Sequence, residues 1–252
     1  MKAGIVKEEP NYFLLDEKYY GKQPYFYEPK DYPWVAEIEK NWTVIRDEMM
    51  DIISQREKIP NANLYPPSLS SPDAWKNVCF YNYTWKKHKN CNRFPKTDKL
   101  LSAIPNMTYA GLCLLEPHTK VHPHNGDTNT TIRCHLGIKI PAPLPLAGIS
   151  VGNEERSWED GKILMFSDAQ LHTVWNDTDE QRYIFTIDVV RHEYAKETHT
   201  ICSKVLAVFT MKAIDEKVAY LKKVPPFVAN FILNIVTALW YVYIPVQRRF
   251  GI

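Results

Sequence analysis

Two histidine-bearing stretches contain the side chains of this chain that are best able to do chemistry. The first stretch carries His122, His124 and Asp127, all of which are groups that can bind a metal ion. The second carries His172, and Arg182 follows it ten residues later. Imidazole nitrogens bind ferrous and other transition-metal ions, and the planar fork of an arginine matches a carboxylate with two hydrogen bonds. The spacing therefore predicts a metal site with a carboxylate-binding arginine nearby.

The order of the elements around these residues narrows the chemistry. The histidine-rich stretch, which reads as a loop, is followed by strand-like segments at residues 130–140 and 163–166, and then by His172 and Arg182. This order is the layout of iron oxygenases that use 2-oxoglutarate. Such a site must keep an open coordination face for the cosubstrate and dioxygen. Arg182 would then grip the far carboxylate of 2-oxoglutarate.

Alternation along residues 130–140 gives an independent indication. One face of this strand is apolar, whereas Arg133 and His135 fall on the other face. If that second face lines the mouth of a barrel, both side chains lie beside the metal-binding stretch and contact a carboxylate of cosubstrate or substrate. The alternative is an ordinary strand with one face in solvent. The apolar face consists of Ile132, Cys134, Leu136, Ile138 and Ile140.

Longer motifs surround these positions. They include Val121-His122-Pro123-His124-Asn125-Gly126-Asp127-Thr128-Asn129, Ile132-Arg133-Cys134-His135-Leu136-Gly137, Trp158-Glu159-Asp160-Gly161-Lys162, Phe166-Ser167-Asp168 and His172-Thr173-Val174-Trp175-Asn176. Upstream stand Phe26-Tyr27-Glu28-Pro29, Pro33-Trp34-Val35 and Asn41-Trp42. Together these motifs, over about residues 25–193, resemble the aspartyl/asparaginyl β-hydroxylase family.

The resemblance implies a double-stranded β-helix oxygenase of the jelly-roll or cupin-like kind. It implies that His124 and His172 bind Fe(II), and that Arg133, His135 and Arg182 bind 2-oxoglutarate. It also implies hydroxylation of an unactivated C–H bond by dioxygen, with ascorbate as the reductant in vitro. The family lacks the carboxylate ligand of most related oxygenases and has glycine two residues after the first histidine, as this chain has at Gly126.

Two residues leave the ligand set open. Asp127 stands where the family more often has an uncharged residue, and its carboxylate is a candidate third ligand. His122 competes with His124 for the first ligand position. Two other functions remain as alternatives: a non-catalytic β-helix binding module, and a zinc-site protein that uses His122, His124 and His172 and does not need Arg182.

The elements that must position these residues read as mainly β with flanking helices. Strand-like runs at residues 78–83, 109–115, 130–140, 148–151, 163–166 and 182–190 are separated by Pro, Gly and Asn/Asp turns, which favours an antiparallel sandwich or barrel. A single N-terminal helix is predicted with Asp31 as its N-cap and Pro33 in its first turn. Two C-terminal helices are predicted, with residues 224–226 between them.

The chain is therefore divided into three regions. Residues 1–60 form an N-terminal wrap, extended over residues 10–30, and the helix; residues 61–195 form the oxygenase core, beginning with a loop at 61–71; residues 196–252 form a helical extension. Residues 86–89 are a small basic cluster, which is most simply a solvated loop.

Composition limits the partners. With 31 basic and 29 acidic residues the net charge is +2, which gives no electrostatic reason to expect nucleic acid. Five scattered cysteines and an N-terminus without a long apolar run predict a cytoplasmic location. A peptide, an amino acid or a lipid is the expected substrate.

Residues 227–246 contain no formal charge and lie between Lys222-Lys223 and Arg248-Arg249. A helix of this length can span a bilayer. However, Asn230, Asn234 and Thr237 recur at helical spacing, which favours a helix that docks on the domain or lies in a membrane interface. Both possibilities remain, and the segment tilts the expected substrate towards a membrane-associated one.

Overall fold

The computed structural model describes residues 8–12, 19–55, 57, 59–60, 74–217 and 224–251. The loop predicted at residues 61–71 lies outside these residues, as do Lys222 and Lys223. The described strands are β1 (Phe26–Tyr27), β2 (Trp75–Asn82), β3 (Trp85–Lys86), β4 (Met107–Leu115), β5 (Thr119–His124), β6 (Thr131–Lys139), β7 (Ala147–Val151), β8 (Glu154–Arg156), β9 (Ile163–Phe166), β10 (His172–Asn176) and β11 (Arg182–Val190).

Helices flank these strands at both ends of the chain. They are α1 (Pro33–Lys40), α2 (Trp42–Ile53), α3 (His88–Arg93), α4 (Pro95–Ser102), α5 (Thr198–Lys217) and α6 (Pro226–Phe250). Short 3-10 turns occupy Pro29–Asp31 and His192–Glu197. The prediction of a mainly β fold with flanking helices is confirmed.

Two antiparallel sheets form the core. The larger sheet has the strand order β1-β9-β6-β11-β4-β2-β3, and the smaller has the order β5-β10-β7-β8. This is the two-sheet, jelly-roll arrangement expected of a double-stranded β-helix. The predicted strands at residues 163–166 and 182–190 have the observed bounds, and the other predicted strands differ only at their ends.

The larger sheet is buried on both faces. On its outer face Ile132, Cys134, Leu136 and Ile138 pack with α1, α2 and α4 in one apolar cluster. Its inner face packs against the smaller sheet through a second cluster. His135, on the inner face, is only 6% exposed. The alternative of a half-solvated strand is therefore wrong for β6, and the predicted alternation is confirmed from Ile132 to Ile138.

The single N-terminal helix predicted from Asp31 is wrong, because the structure divides it in two. Asp31 lies in the preceding 3-10 turn, and Tyr32 is the N-cap of α1. The break falls at Asn41, whose side-chain amide donates a hydrogen bond to the Glu37 carbonyl at 2.9 Å. An asparagine that satisfies a carbonyl one turn back competes with the helix and favours its end.

Two further predictions concern the surface. The basic cluster at residues 86–89 is not a solvated loop, because Lys86 ends β3 and His88 begins α3. The two predicted C-terminal helices are confirmed as α5 and α6. Of the described helices, α6 is long and apolar enough to cross a membrane.

A substitution at Gly137 tests the close packing of β6. A Cβ atom at Gly137 would lie 2.2 Å from the backbone oxygen of Glu159. Because this clash is with the backbone, no movement of a side chain can relieve it. We expect Gly137→Ala to lower the free energy of unfolding by about 1–3 kcal/mol, as overpacking does. Urea denaturation measures this change. The control is Lys139→Ala on the same strand, which removes an exposed ion pair and should cost under about 1 kcal/mol.

Candidate active site

A β-bulge determines which histidine of β5 faces the core. In the β5–β10 pair, Val121 lies opposite Val174 but His124 lies opposite His172, so β5 contains one extra residue between these two pairs. Pro123 falls within this irregularity, where the ladder needs no N–H donor. Bulges re-aim side chains in this way next to functional sites. His124 is thereby brought to the side on which His172 is buried, and His122 remains exposed. The loop predicted over His122 and His124 is wrong, since both lie within β5.

The two imidazoles lie side by side. The ring centroids of His124 and His172 are 4.3 Å apart, with the planes tilted by 53°. Nδ1 of His124 lies 2.9 Å from the His122 carbonyl oxygen, and Nδ1 of His172 lies 2.8 Å from that of Gln170. Because a carbonyl only accepts, each Nδ1 carries the proton and each Nε2 keeps its lone pair. Metal-binding histidines characteristically have this arrangement.

Burial keeps both rings neutral. It lowers the pKa of His124 below its ordinary value. Burial, together with the neighbouring His124 ring, lowers the pKa of His172 well below its ordinary value. A neutral imidazole is the form that binds a metal ion. The pair is therefore ready to bind a cation at neutral pH.

Asp168 supplies a carboxylate beside this pair. Its Oδ1 lies 3.5 Å from Nε2 of His172, and its side chain is almost fully buried. A Cβ atom at Gly126 would lie 1.6 Å from Oδ2 of Asp168. The missing side chain at residue 126 thus makes the space that the Asp168 carboxylate occupies. The backbone supports this contact, since the amide of Gly126 donates to the Asp168 carbonyl at 2.7 Å.

Arg133 lies between two carboxylates. Its Nε and Nη2 donate to Asp188 at 2.9 and 2.8 Å, and its Nη1 lies 2.5 Å from Oδ1 of Asp168. Burial alone would lower the pKa of Arg133, but the two carboxylates raise it well above its ordinary value. The guanidinium therefore holds Asp168 next to His172. Binding of a cosubstrate by Arg133 stays a prediction.

Arg182 lies in a different electrostatic environment. It is 2% exposed, its guanidinium lies over the Trp158 ring at 4.6 Å, and its Nε and Nη1 have no hydrogen-bond partner among the described residues. Burial lowers the pKa of Arg182 to about 10, so it remains a cation at neutral pH. A buried cation without a partner is costly, typically by several kcal/mol. The site therefore favours an anion that would satisfy these donors.

His135 connects Arg182 to the histidine pair. Its Nδ1 accepts a hydrogen bond from Nε1 of Trp158 at 3.2 Å, so its Nε2 carries the proton and can donate. The ring of Phe166 lies between His135 and His172, with centroid distances of 4.9 and 5.4 Å. Burial and the charges of Arg182 and Arg133 lower the pKa of His135 well below its ordinary value. The inner face of the larger sheet thus carries a cation and a neutral donor, and the inner face of the smaller sheet, packed against it, carries the imidazole pair.

The two open ligand candidates lie elsewhere. His122 is exposed on β5, and the carboxylate of Asp127 accepts a hydrogen bond from the hydroxyl of Tyr83 at 2.6 Å. Among the described residues, no group of three His, Cys, Asp or Glu side chains is arranged to hold a metal ion. The zinc alternative therefore lacks the convergence of His122 with His124 and His172 that it requires.

A cavity of about 600 Å³ lies apart from this cluster, between α2 and the ends of β6 and β11. Its walls mix apolar and charged side chains, among them Trp42, Arg46 and Tyr183. It contains neither histidine of the pair. The histidine pair, rather than this cavity, combines metal-binding donors with an unsatisfied cation and is the candidate active site.

Comparison with known proteins gives the family. A sequence profile of the aspartyl/asparaginyl β-hydroxylase family matches residues 39–192, more than half of the chain. The chain belongs to the aspartyl/asparaginyl β-hydroxylase family. This match spans the histidine pair, Asp168 and Arg182. The resemblance predicted from the motifs is confirmed, and the family is one of hydroxylases.

Individual members of the family are moderately similar. The chain is 31% identical over 171 residues to an ornithine lipid ester-linked acyl 2-hydroxylase of Rhizobium tropici, covering 67% of this chain and 61% of that protein. It is 32% identical over 163 residues to the human aspartyl/asparaginyl beta-hydroxylase, covering 62% of this chain and 21% of that protein. The chain thus spans about three fifths of the first relative and about one fifth of the second.

Solved structures show a more distant likeness. One is HygX from Streptomyces hygroscopicus with nickel and 2-oxoglutarate bound, which has a TM-score of 0.39 and 10% identity and covers 58% of this chain and 79% of that chain.

Sequence reasoning left several side chains of this candidate site without a role. Asp168 and Trp158 stood inside the motifs, but only the fold shows that one touches His172 and the other supports Arg182 and His135. Asp188 shares a face of β11 with Arg182 by simple alternation, which could have indicated it. Tyr83 gave no signal, because its hydroxyl reaches Asp127 from the turn between β2 and β3, 44 residues earlier in the sequence.

Asp127 provides a pH test of the site's surroundings. Burial raises the pKa of Asp127 from its ordinary value of 3.8 to about 6. Proton binding by Asp127 therefore stabilises the folded chain. This stabilisation is fully present below about pH 4 and is lost as the pH rises through about 6. As the pH rises from about 4 to about 7, the free energy of unfolding of Asp127→Asn should rise relative to that of the wild type, by at most about 3 kcal/mol. Urea denaturation at both pH values measures the change.

The matched control is Asp179→Asn, which alters a carboxylate whose side chain is 98% exposed. This variant should follow the wild type at both pH values. A stability difference between Asp127→Asn and wild type that stays constant or shrinks with rising pH would show that Asp127 is not a buried, proton-binding group.

Proposed function

We propose that this chain is an Fe(II)- and 2-oxoglutarate-dependent dioxygenase that hydroxylates an unactivated C–H bond. One observation carries the proposal: two neutral imidazoles with unprotonated Nε2 atoms on the inner face of the smaller sheet lie across the core from a buried arginine on the inner face of the larger sheet. That arginine lacks a hydrogen-bond partner among the described residues. A cation site and an anion site are thus held together in one buried cluster.

The donor set fits both groups. His124 and His172 would hold the iron through Nε2, and two imidazoles leave most of its coordination positions open for other ligands. Arg182 and the Nε2–H of His135 would bind a carboxylate of 2-oxoglutarate, because both are donors and neither has an acidic partner among the described contacts. When bound, the metal and 2-oxoglutarate would activate dioxygen: one oxygen atom would enter succinate as 2-oxoglutarate loses carbon dioxide, and the other would enter the substrate C–H bond as a hydroxyl group.

The residues of the chain orient the bound groups and exclude water from the site. Burial around Arg182 strengthens its attraction for a carboxylate, since charges interact more strongly away from water. The carbonyl partners of His124 and His172 fix both ring orientations. Arg133 keeps the Asp168 carboxylate beside His172, where it can accept a hydrogen bond from a water held near the pair. Arg133 is in this respect a positioning residue, and its predicted contact with 2-oxoglutarate is kept as part of the proposal.

The alternative of a non-catalytic binding module is less well supported. A shell that had lost turnover would not need His124, His172 and Arg182 together. All three are present. Burial of the Arg182 cation costs free energy, and among the described contacts only the Trp158 ring offsets that cost. That cost is explained by a bound anion.

The substrate is proposed more broadly, as a peptide, an amino acid or a lipid. One similar protein is named for the acyl chain of an ornithine lipid and another for aspartyl and asparaginyl residues. The apolar helix α6 favours a membrane-associated substrate and a cytoplasmic protein held at a membrane through residues 227–246. Nucleic acid is not among the proposed partners.

The histidine pair gives a direct test of the metal site. We expect His124→Ala and His172→Ala each to weaken Fe(II) binding by about 100-fold or more, because each removes half of the protein's ligands. Anaerobic calorimetry measures the affinity, and succinate release in the presence of ascorbate measures turnover. His122→Ala is the matched control, two residues from His124, and should retain both properties. Wild-type succinate release in His172→Ala would rule out that ligand.

Arg182 gives a separate test of the cosubstrate site. We expect Arg182→Met to raise the KM for 2-oxoglutarate by about 100-fold, as loss of a charged, bidentate partner does. Fe(II) affinity should change little. Arg182→Lys should restore part of the loss, since it returns the charge without the fork. Arg46→Met changes an exposed arginine and serves as the control. An unchanged KM in Arg182→Met would assign the carboxylate to another residue.

A further inference from the structure

Helix α6 presents a continuous apolar face to solvent. Seven large side chains recur every three or four residues along it and are 36–75% exposed. At 1.5 Å per residue the helix is about 37 Å long, and this face runs along its whole length. Such patches mark surfaces that bind a partner or a membrane. The apolar face consists of Phe227, Phe231, Ile235, Leu239, Val242, Val246 and Phe250.

The opposite side of α6 is fastened to the domain. Trp240 donates through Nε1 to the Thr210 hydroxyl of α5 at 2.9 Å, and Nε2 of His199, also in α5, lies 2.8 Å from the Tyr241 carbonyl oxygen. Near the end of the helix, the side chain of Gln247 forms two hydrogen bonds with the backbone of Lys86, at 2.7 and 3.0 Å. These contacts fasten the C-terminal part of α6, from Trp240 to Gln247, to α5 and β3.

This attachment argues against a helix that crosses a bilayer. If residues 227–246 spanned the membrane, Thr210 and His199 of α5, which contact Trp240 and Tyr241, would be drawn with them towards the hydrocarbon. Polar groups at that depth are expensive unless they are satisfied by other protein. A helix that lies in the interface keeps its inner contacts and places only its apolar face in lipid.

Basic residues from distant parts of the sequence lie near the C-terminal end of α6. Nε2 of His88 lies 2.8 Å from the Gln247 carbonyl oxygen, which places the start of α3 next to the end of α6. Lys89 on α3 is exposed, and Arg249 continues the apolar face three residues after Val246. Neither forms an ion pair with a described residue. Cationic groups beside an exposed apolar helix face attract anionic lipid headgroups.

We propose that the apolar face of α6, together with Lys89 and Arg249, docks the chain on the surface of an anionic bilayer, with α6 lying in the plane of the interface. The proposal does not rest on the oxygenase chemistry. Helix α5 packs on the end of the barrel that carries the metal-binding stretch, since Phe209 contacts the ring of Tyr83, whose hydroxyl holds Asp127. Docking through α6 therefore brings that end of the barrel towards the bilayer.

Vesicle flotation of the full chain, without iron or 2-oxoglutarate, tests the proposal. The chain should float with vesicles of phosphatidylcholine and phosphatidylglycerol, and much less with phosphatidylcholine alone. We expect Phe231→Ser with Leu239→Ser to lower the partition coefficient by about tenfold or more, and Lys89→Gln with Arg249→Gln to lower it by about tenfold on anionic vesicles only. The proposal is overturned if the wild type does not float or if these variants float equally well.

The controls match each change in chemistry. Met50→Ser removes an exposed apolar side chain from α2, and Lys30→Gln with Lys40→Gln removes two exposed cations elsewhere, so both should float like the wild type. Circular dichroism should be the same for all variants, because the substituted side chains are exposed.

Two further measurements separate the other uses of this face. Alkaline carbonate should release the chain from the vesicles if α6 lies in the interface; retention would show a spanning helix and overturn the proposal. Sedimentation should find the lipid-free wild type and the Phe231→Ser, Leu239→Ser variant in the same oligomeric state. A dimer that this variant disrupts, without vesicle binding by the wild type, would assign the face to a second copy of the chain.

Discussion

The antiparallel register between β5 and β10 determines which side chains meet in the site. The one-residue bulge around Pro123 shifts that register so that His124, rather than Pro123, lies opposite His172. Without the extra residue, side-chain alternation would turn His124 towards solvent. The same sheet places the turn after β5 against Asp168, where a side chain at Gly126 would collide with the carboxylate. Local backbone geometry therefore sets the proposed metal-binding donors before any ligand arrives.

The two arginines on the inner face of the larger sheet show how charge is distributed around those donors. Arg133 is neutralised by Asp168 and Asp188, so it is part of a satisfied network that holds Asp168 near His172. Arg182 has an aromatic ring beneath it and no acidic partner in the described part of the chain. A folded protein keeps such a buried charge when a ligand completes it. The contrast between the two arginines divides the face into a supporting part and a part proposed to bind the ligand.

Much of this arrangement could be predicted from the sequence, and the exceptions have physical causes. Alternation along β6 predicted that Arg133 and His135 share a face, because side-chain period in a strand is fixed by backbone geometry. Alternation could not choose between His122 and His124, since a bulge breaks that period and leaves no mark in the sequence beyond a proline. The roles of Asp168 and Trp158 depend on contacts between distant strands, which no local pattern records. The break at Asn41 also escaped, because the apolar spacing continues through it.

The central claim is that the imidazole pair and Arg182 together bind one ferrous ion and one 2-oxoglutarate. Anaerobic absorption spectroscopy tests it most directly, because 2-oxoglutarate bound to Fe(II) gives a visible charge-transfer band that neither gives alone. The wild type should develop this band on addition of both, saturating at one equivalent of each per chain. If the folded protein binds Fe(II) but develops no band with saturating 2-oxoglutarate, the assignment of the site is contradicted.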